Sequence, residues 1–250
     1  GVVCDQVEAY ARGVPSYYTA YQKPIPFLYT SNGKQHYFHD FRKKDSGYEE
    51  IFVMHKPKKL VEMLGIEDPF AGLPTLNPKG LRACQYEAIT GLEKSFRNGQ
   101  NRALMVLATG AGKTYTACLA SYRMLAYTKM RRVLFLVDRN NLGKQAEGEF
   151  GTFRLTENGD AFNIIYSVNR LKSAKIPSDS NVVISTIQRL FSLLKGEDIT
   201  DTDDDDADNT TSEVELPENP ILPHDFFDLI IIDECHRSIY GNWRKVLEYF

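Results

Sequence analysis

Two short runs constrain this chain more than anything else in it: Ala108-Thr109-Gly110-Ala111-Gly112-Lys113-Thr114 and, 119 residues after Thr114, Asp233-Glu234-Cys235-His236. The first follows five apolar residues, Ala103-Leu104-Met105-Val106-Leu107, that read as a buried strand, and it opens a helix expected over Lys113–Met124. Strand, glycine loop and helix in that order make a cradle for phosphate. Glycine backbones turn tightly enough to aim N–H groups at one anion, and a helix N-terminus favours negative charge. Gly110 and Gly112 supply the turn, with Thr109 and Ala111 completing the loop, while Lys113 can reach the β and γ phosphates and the Thr114 hydroxyl can ligate Mg²⁺. The strict phosphate-loop pattern starts with a glycine where this chain has Leu107. The second run closes an apolar strand, Asp228–Ile232. A carboxylate at the carboxyl end of a parallel strand lies beside such a loop. Asp233 is then placed to hold Mg²⁺ and Glu234 to polarise an attacking water.

The remaining sequence narrows the class. Of its 250 residues, 42% are hydrophobic and 25% charged, an ordinary globular balance with length for one large or two smaller domains. No run reaches the roughly 18 apolar residues of a membrane span, and no secretory leader is recognisable. A first residue that is Gly rather than Met reads as the start of a cut piece. Cys4, Cys84, Cys118 and Cys235 lie far apart, without metal-ligand or disulfide spacing, and read as reduced thiols of a cytoplasmic protein. The five histidines form no ligand pattern. Net charge is -3, yet the stretch Glu197–Glu218 holds eleven acidic and no basic residues; without it, 30 basic minus 22 acidic residues leaves a body near +8. A basic body suits an anionic polymer.

Along the chain, residues 1–65 read as one domain, 66–80 as a linker and 81–250 as a second domain. The first begins with a helix over Cys4–Ala11. An apolar stretch Pro26–Thr30, a turn at Ser31-Asn32-Gly33-Lys34 and a return strand Tyr37–Phe41 follow, because Asn-Gly accepts positive φ at low cost. Ile51–Met54 is expected as a third strand. Pro69, Pro74 and Pro78 mark the linker. Beyond it, a helix over Arg82–Arg97, with Ile89, Leu92 and Phe96 on one face, stops at Asn98-Gly99. Strands are expected at Ala103–Leu107, Arg132–Val137, Asn181–Thr186 and Asp228–Ile232, with a further one at Asn163–Tyr166. Val-, Ile- and Leu-rich strands alternating with helices predict an α/β fold with a parallel sheet covered on both faces. Residues 198–220 read as an acidic, solvated insertion.

With the phosphate loop and Asp-Glu-x-His in order, the chain resembles the first RecA-like lobe of a superfamily 2 helicase or translocase. Leu81-Arg82-Ala83-Cys84-Gln85 is similar to the segment where that family places its adenine-reading glutamine; this implies base contacts for Gln85 and Arg82, although Cys84 stands where the family often has an aromatic. Val133–Arg139 and Val182–Gln188 resemble the family's motifs Ia and Ib, which implies DNA-backbone contacts by Arg139, Thr186 and Gln188. Residues 1–60 narrow the resemblance. Gln6 and Tyr10 have the Gln-x-x-x-Tyr spacing of RecB-type nuclease domains, which puts both on one helix face toward DNA. The hairpin that follows resembles the end of that nuclease fold, an α+β unit. The whole layout resembles the R (restriction and translocation) subunit of type I restriction-modification enzymes.

That resemblance implies ATP and Mg²⁺ as cofactors. Duplex DNA and the modification (methyltransferase) and specificity subunits are the implied partners, and no membrane is involved. Lys113, Asp233, Glu234 and His236 are the implied catalytic residues, with His236 linking the phosphate site to the DNA-contacting loops. The family's nuclease metal ligands would precede Gln6 and its second motor lobe would follow Phe250, so the expectation for this stretch alone is nucleotide binding with little turnover and no DNA cleavage. Two other readings use the same residues: a DExH repair or remodelling helicase, and a non-catalytic DNA-binding scaffold. Intact Lys113, Thr114, Asp233 and Glu234 weigh against the second.

Overall fold

A computed structural model describes the chain except residues 1, 16–19, 21, 44–45, 66–67, 156–157, 174, 198–215, 217–218, 220 and 238–240. The acidic insertion expected at 198–220 lies almost wholly outside the described residues. The chain divides into two compact units, Gly1–Ile66 and Glu67–Phe250.

The first unit opens with helix α1 (Val2–Arg12), continues through strands β1 (Phe27–Ser31), β2 (His36–Asp40) and β3 (Glu49–Ile51), and ends with helix α2 (Pro57–Met63). The strands form an antiparallel sheet in the order β1-β2-β3. Its turn is built as the sequence predicts: Gly33 has φ 84°, and the Asn32 side-chain oxygen accepts from the Lys34 and Gln35 amides at 3.0 and 2.8 Å. The third strand is displaced from its expected place at Ile51–Met54. Its ladder pairs Ile51 with His36, the first residue of β2, so Phe52 would fall opposite the turn and find no partner. Phe52, Val53 and Met54 are exposed, Phe52 at 96%. Among the described residues, packing draws on few buried apolar groups, chiefly Leu28, Phe38 and Ala11. Polar contacts fix the rest: Arg42 grips the buried Asp40 carboxylate with two hydrogen bonds of 2.9 and 2.8 Å, and Tyr29 Oη meets His55 Nδ1 at 2.8 Å.

In the second unit, helices α3 (Ala83–Arg97) and α4 (Lys113–Tyr127) precede strand β4 (Val133–Val137). Helices α5 (Asn140–Thr152) and α6 (Phe162–Ile165) lead to strands β5 (Val168–Arg170) and β6 (Val182–Thr186). Helix α7 (Ile187–Lys195), strand β7 (Leu229–Ile232) and helix α8 (Gly241–Tyr249) complete it. The four strands are parallel, in the order β5-β6-β4-β7. Side chains alternate across the sheet: Val133, Phe135 and Val137 enter a core with α3, α4 and α5, while Leu134 and Leu136 enter the opposite core with α7 and α8. Both faces are covered, as the expected α/β class requires, and this is the architecture of a RecA-like lobe. Of the stretch read as a linker, residues 67–80 fall within this unit, and Leu73 and Leu76 are buried there.

Two strand expectations fail. Ala103–Leu107 joins no ladder; Met105 packs inward, but Leu104 and Val106 are 71% and 85% exposed. Hydrophobicity reports what a residue gains by leaving water, whereas a strand also needs a neighbour in register. Asn163–Ile165 is helical instead, and Tyr166 is the extended residue that caps that helix. The Phe162 amide donates to Phe153 O at 2.9 Å, the Tyr166 amide donates to Phe162 O at 2.9 Å, and strand pairing begins only at Val168.

Candidate nucleotide-binding site

The glycine loop turns as its sequence demands. Gly110 and Gly112 both have left-handed backbones, with φ 76° and 86°, and Gly112 caps the N-terminus of α4. The Ala111 amide donates to Ala108 O at 3.1 Å, and Thr116 returns two hydrogen bonds to Gly112 O, each 2.9 Å. Lys113 and Thr114 thereby occupy the first turn of α4, at the positive end of its dipole.

Asp233 stands at the carboxyl end of β7, where its amide continues the parallel ladder to Leu136 O at 2.9 Å. Lys113 Nζ reaches Glu234 Oε1 at 2.9 Å, so the structure joins the two diagnostic runs directly. His236 Nδ1 lies 3.3 Å from the other Glu234 oxygen. Glu234 has φ 53°, the one left-handed non-glycine backbone among the described residues, and such strain concentrates at functional sites. Partial burial raises the Asp233 carboxyl above the usual Asp range, and the adjacent Glu234 charge adds to the rise. The hydrogen bond that Lys113 donates to Glu234 raises the Lys113 ammonium in turn. A carboxylate made costly by burial and a like-charged neighbour is one that a hard cation relieves. Asp233 and the Thr114 hydroxyl offer the oxygen donors that Mg²⁺ prefers. Among the described residues no cluster of three or more His, Cys, Asp or Glu could cage a metal alone. Mg²⁺ shared with phosphates needs only one or two protein ligands.

Arg82 and Gln85 come to the same loop, but onto its backbone. Arg82 donates from its guanidinium to Gly110 O, and Gln85 Nε2 donates to Ala111 O at 3.0 Å. Arg139 follows β4, exposed and 3.5 Å from Asp138. Thr186 ends β6 but is 3% exposed, and its hydroxyl accepts from the Arg189 amide at 3.4 Å to cap α7, so it does not face the surface. Gln188 sits in the first turn of α7, half-buried. All three therefore lie at the carboxyl edge of the sheet, as do Asp233 and Glu234. Gln6 and Tyr10 belong to the first unit, where the Gln6 amide donates to Tyr10 Oη at 2.6 Å on the exposed face of α1. Sequence reading missed the left-handed Glu234 and the anchoring of Arg170, whose guanidinium bonds Asn140 Oδ1 at 2.5 Å and Glu147 Oε2 at 3.1 Å beside the start of α5. The Asn140-Asn141 pair, a helix-start signal, was the only trace of the latter.

Comparison with known proteins identifies the family. Residues 78–250 match the family described as type III restriction enzyme, res subunit. The chain is 33% identical to the type I restriction enzyme EcoKI endonuclease subunit of Escherichia coli (strain K12), over 90% of its own length and 19% of that protein. It is 28% identical to the EcoAI endonuclease subunit of Escherichia coli, over 90% of itself and 26% of the relative. Identity to the SauCOLORF180P endonuclease subunit of Staphylococcus aureus (strain COL) is 27%, over 67% and 16%. The chain thus spans 16–26% of the length of these relatives. No helix among the described residues is long and apolar enough to cross a membrane. The chain belongs to the restriction-enzyme res-subunit family, with a superfamily 2 helicase-like motor lobe, and its relatives are endonuclease (R) subunits of type I restriction enzymes.

Proposed function

We propose that this chain supplies the first motor lobe, and the end of the nuclease domain, of a type I restriction enzyme's R subunit. In that role it binds ATP with Mg²⁺ and engages duplex DNA. The observation that carries the reading is the 2.9 Å contact between Lys113 and Glu234, which brings the loop built for phosphate against the carboxylates built for hydrolysis. Lys113 and the loop amides hold the phosphates. Thr114 and Asp233 hold Mg²⁺, which when bound neutralises phosphate charge. Glu234 releases its hold on Lys113 and orients the attacking water; His236, on the same carboxylate, passes the change toward the DNA-contacting edge of the sheet. Arg139 and Gln188 meet the DNA backbone there, Thr186 fixes the start of α7 between them, and Gln6 with Tyr10 meets DNA from the nuclease side. Modification and specificity subunits complete the complex in which translocation and cleavage occur.

The test is calorimetric titration with Mg²⁺ and a non-hydrolysable ATP analogue, for the chain and for Lys113→Ala. Binding that disappears in the variant supports the reading; equal affinity in both proteins removes it. In a chain as long as its relatives, Glu234→Gln is expected to bind ATP and fail to hydrolyse it. Normal turnover there would take Glu234 out of its role.

A further inference from the structure

Two arginines toward the carboxyl edge of the sheet are spent inside the protein. Arg189 is 3% exposed, and its Nη1 donates to Leu171 O at 2.9 Å. The Arg170 side chain is 11% exposed; its Nη1 donates to Asn140 Oδ1 at 2.5 Å and its Nε to Glu147 Oε2 at 3.1 Å. Arg170 ends β5, the edge strand of the order β5-β6-β4-β7, and Leu171 follows it. Successive residues of a strand address opposite faces of its sheet. Arg170 reaches α5, where its stem passes Gly143 between the two acceptors. Asn140, Gly143 and Glu147 share one face of that helix, so one side chain spans its first two turns. Leu171 turns to the other face. Its side chain is buried in the core that holds Ile187 and Leu190 of α7, and its carbonyl takes Arg189 of the same helix. The Leu171 amide donates to Ile184 O at 2.8 Å, which fixes this strand end to the sheet.

One strand end thus braces two helices, and these are the helices that begin beside the residues read as DNA-backbone contacts. Gln188 lies in the first turn of α7, which Thr186 caps and Arg189 ties to Leu171. Arg139 is the N-cap of α5 and caps it with no side-chain bond. Among the described residues, the bond from Arg170 to Asn140 is the one side-chain hydrogen bond that reaches the first turn of α5 from another element. Contacts to a DNA backbone set register and orientation, so two of them add only when their spacing matches the phosphates of one duplex. The distance from α5 to α7 therefore matters as much as the charge on Arg139.

We infer that Arg170 is a positioning residue for DNA engagement: it fixes the start of α5, and with it Arg139, at a set distance from Gln188 on α7, without touching DNA itself. The inference rests on the DNA-backbone reading above and deepens it.

The test measures affinity for a duplex oligonucleotide over a series of salt concentrations, on the chain, Arg170→Lys, Arg139→Ala and the variant carrying both changes. Lysine keeps the charge of arginine but cannot reproduce its two-pronged contact. Arg139→Ala is expected to weaken binding roughly fivefold and to flatten the salt dependence by about one phosphate. Arg170→Lys should do nearly the same although no charge is lost, and should add less than about twofold once Arg139 is gone. Affinity for Mg²⁺ with a non-hydrolysable ATP analogue should not change, and the thermal midpoint should stay close to that of the parent. Unchanged duplex affinity and salt dependence in Arg170→Lys would overturn the inference. So would losses that multiply in the double variant, because they describe two independent contacts. If Arg170→Lys fails to fold, Asn140→Ala removes the acceptor on α5 and gives the same comparison. Should the parent bind no duplex, or Arg139→Ala bind it like the parent, the DNA-backbone reading fails instead, and the two failures are distinct.

Discussion

The two units use different forces to hold a sheet. In the second, β4 is buried on both sides, with Phe135 on one core and Leu134 and Leu136 on the other, and its helices supply apolar layers above and below. In the first, the hairpin buries Leu28 and Phe38 and then relies on contacts with direction: Asp40 with Arg42, Tyr29 with His55, and the Arg42 guanidinium 4.8 Å from the Phe27 ring centroid. A small unit has more surface for its volume, so it buries a smaller share of apolar area and leaves more of its specification to polar geometry. Apolar burial is blind to pH, whereas a buried carboxylate is not. The contrast can therefore be broken by substitution and by acid separately.

The largest effect belongs to the double-faced sheet. Phe135→Ala removes a ring that packs edge-on against Phe150 at 5.8 Å between centroids, and it should cost the second unit about 4 kcal/mol. Trp243, the only tryptophan, lies in the opposite core of that unit, so its fluorescence during urea unfolding reports the loss. A cost under about 1 kcal/mol would mean that the core collapses around the gap and that the sheet is not packed as described. Next comes a buried ion pair inside this apolar unit. Arg123 of α4 bonds Glu93 of α3 at 2.5 and 3.1 Å, and both side chains are buried. Glu93→Ala leaves the buried arginine without its counter-charge, with only the Pro74 carbonyl to accept from it, and should cost about 3 kcal/mol by the same assay. Replacing both by Met should recover much of that loss, because two desolvated charges leave together. A double variant no better than the single one would show that the pair itself, and not its desolvation, holds α3 to α4.

Much of the second unit was legible in the sequence, and the reason is visible in particular strands. Val133–Val137 and Val182–Thr186 are runs buried on both faces, and the apolar character of Val133–Val137 and Val182–Ile184 announces this. Ala103–Leu107 has the same character, yet it has no ladder and leaves Leu104 and Val106 exposed, because an apolar run states what burial would gain and is silent about the neighbour that would supply it. Of the candidate site, the order of the two diagnostic runs was legible, since Gly110, Gly112, Lys113 and Asp233 each have a chemistry that few other residue types share. The meeting of Lys113 with Glu234 was implied by that order. The placement of Gln85 on Ala111 O was not. It depends on how α3 packs, and the sequence records it only as one more glycine at 112. Thr186 illustrates the opposite error: a residue type suited to phosphate spends its hydroxyl on capping α7.

In the first unit, the polar account turns on Asp40. The hydrogen bonds from Arg42 hold its carboxyl below the usual Asp range, with burial working against them. The unfolded chain takes up that proton at a higher pH than the folded unit does. The contribution is therefore present above the ordinary Asp range near ~4 and is lost as pH falls through the folded value. Asp40→Asn should cost about 2 kcal/mol at pH 7. Hydrogen exchange of the β1 and β2 amides, compared between the two proteins at each pH, reads the effect. The gap between them should narrow steadily as the pH is lowered. A gap that stays constant down to acid pH would mean that the shape of the side chain, and not its charge, holds the hairpin, and the contrast between the two units would weaken.

The smallest effect separates the turn from the sheet it joins. Asn32 Oδ1 accepts two amides of the turn, but the site is exposed, so water can replace part of what Asn32→Ala removes. A loss of about 0.5–1 kcal/mol is expected, independent of pH. Gly33→Ala should cost more, about 1–2 kcal/mol, although a Cβ there would meet nothing within 4 Å. The cost comes from the φ of 84° alone. The same hydrogen-exchange comparison ranks the two. If Asn32→Ala proves the costlier, the turn is held by its side-chain bonds and not by backbone preference. The directional contacts that distinguish the first unit would then extend to the tip of its hairpin.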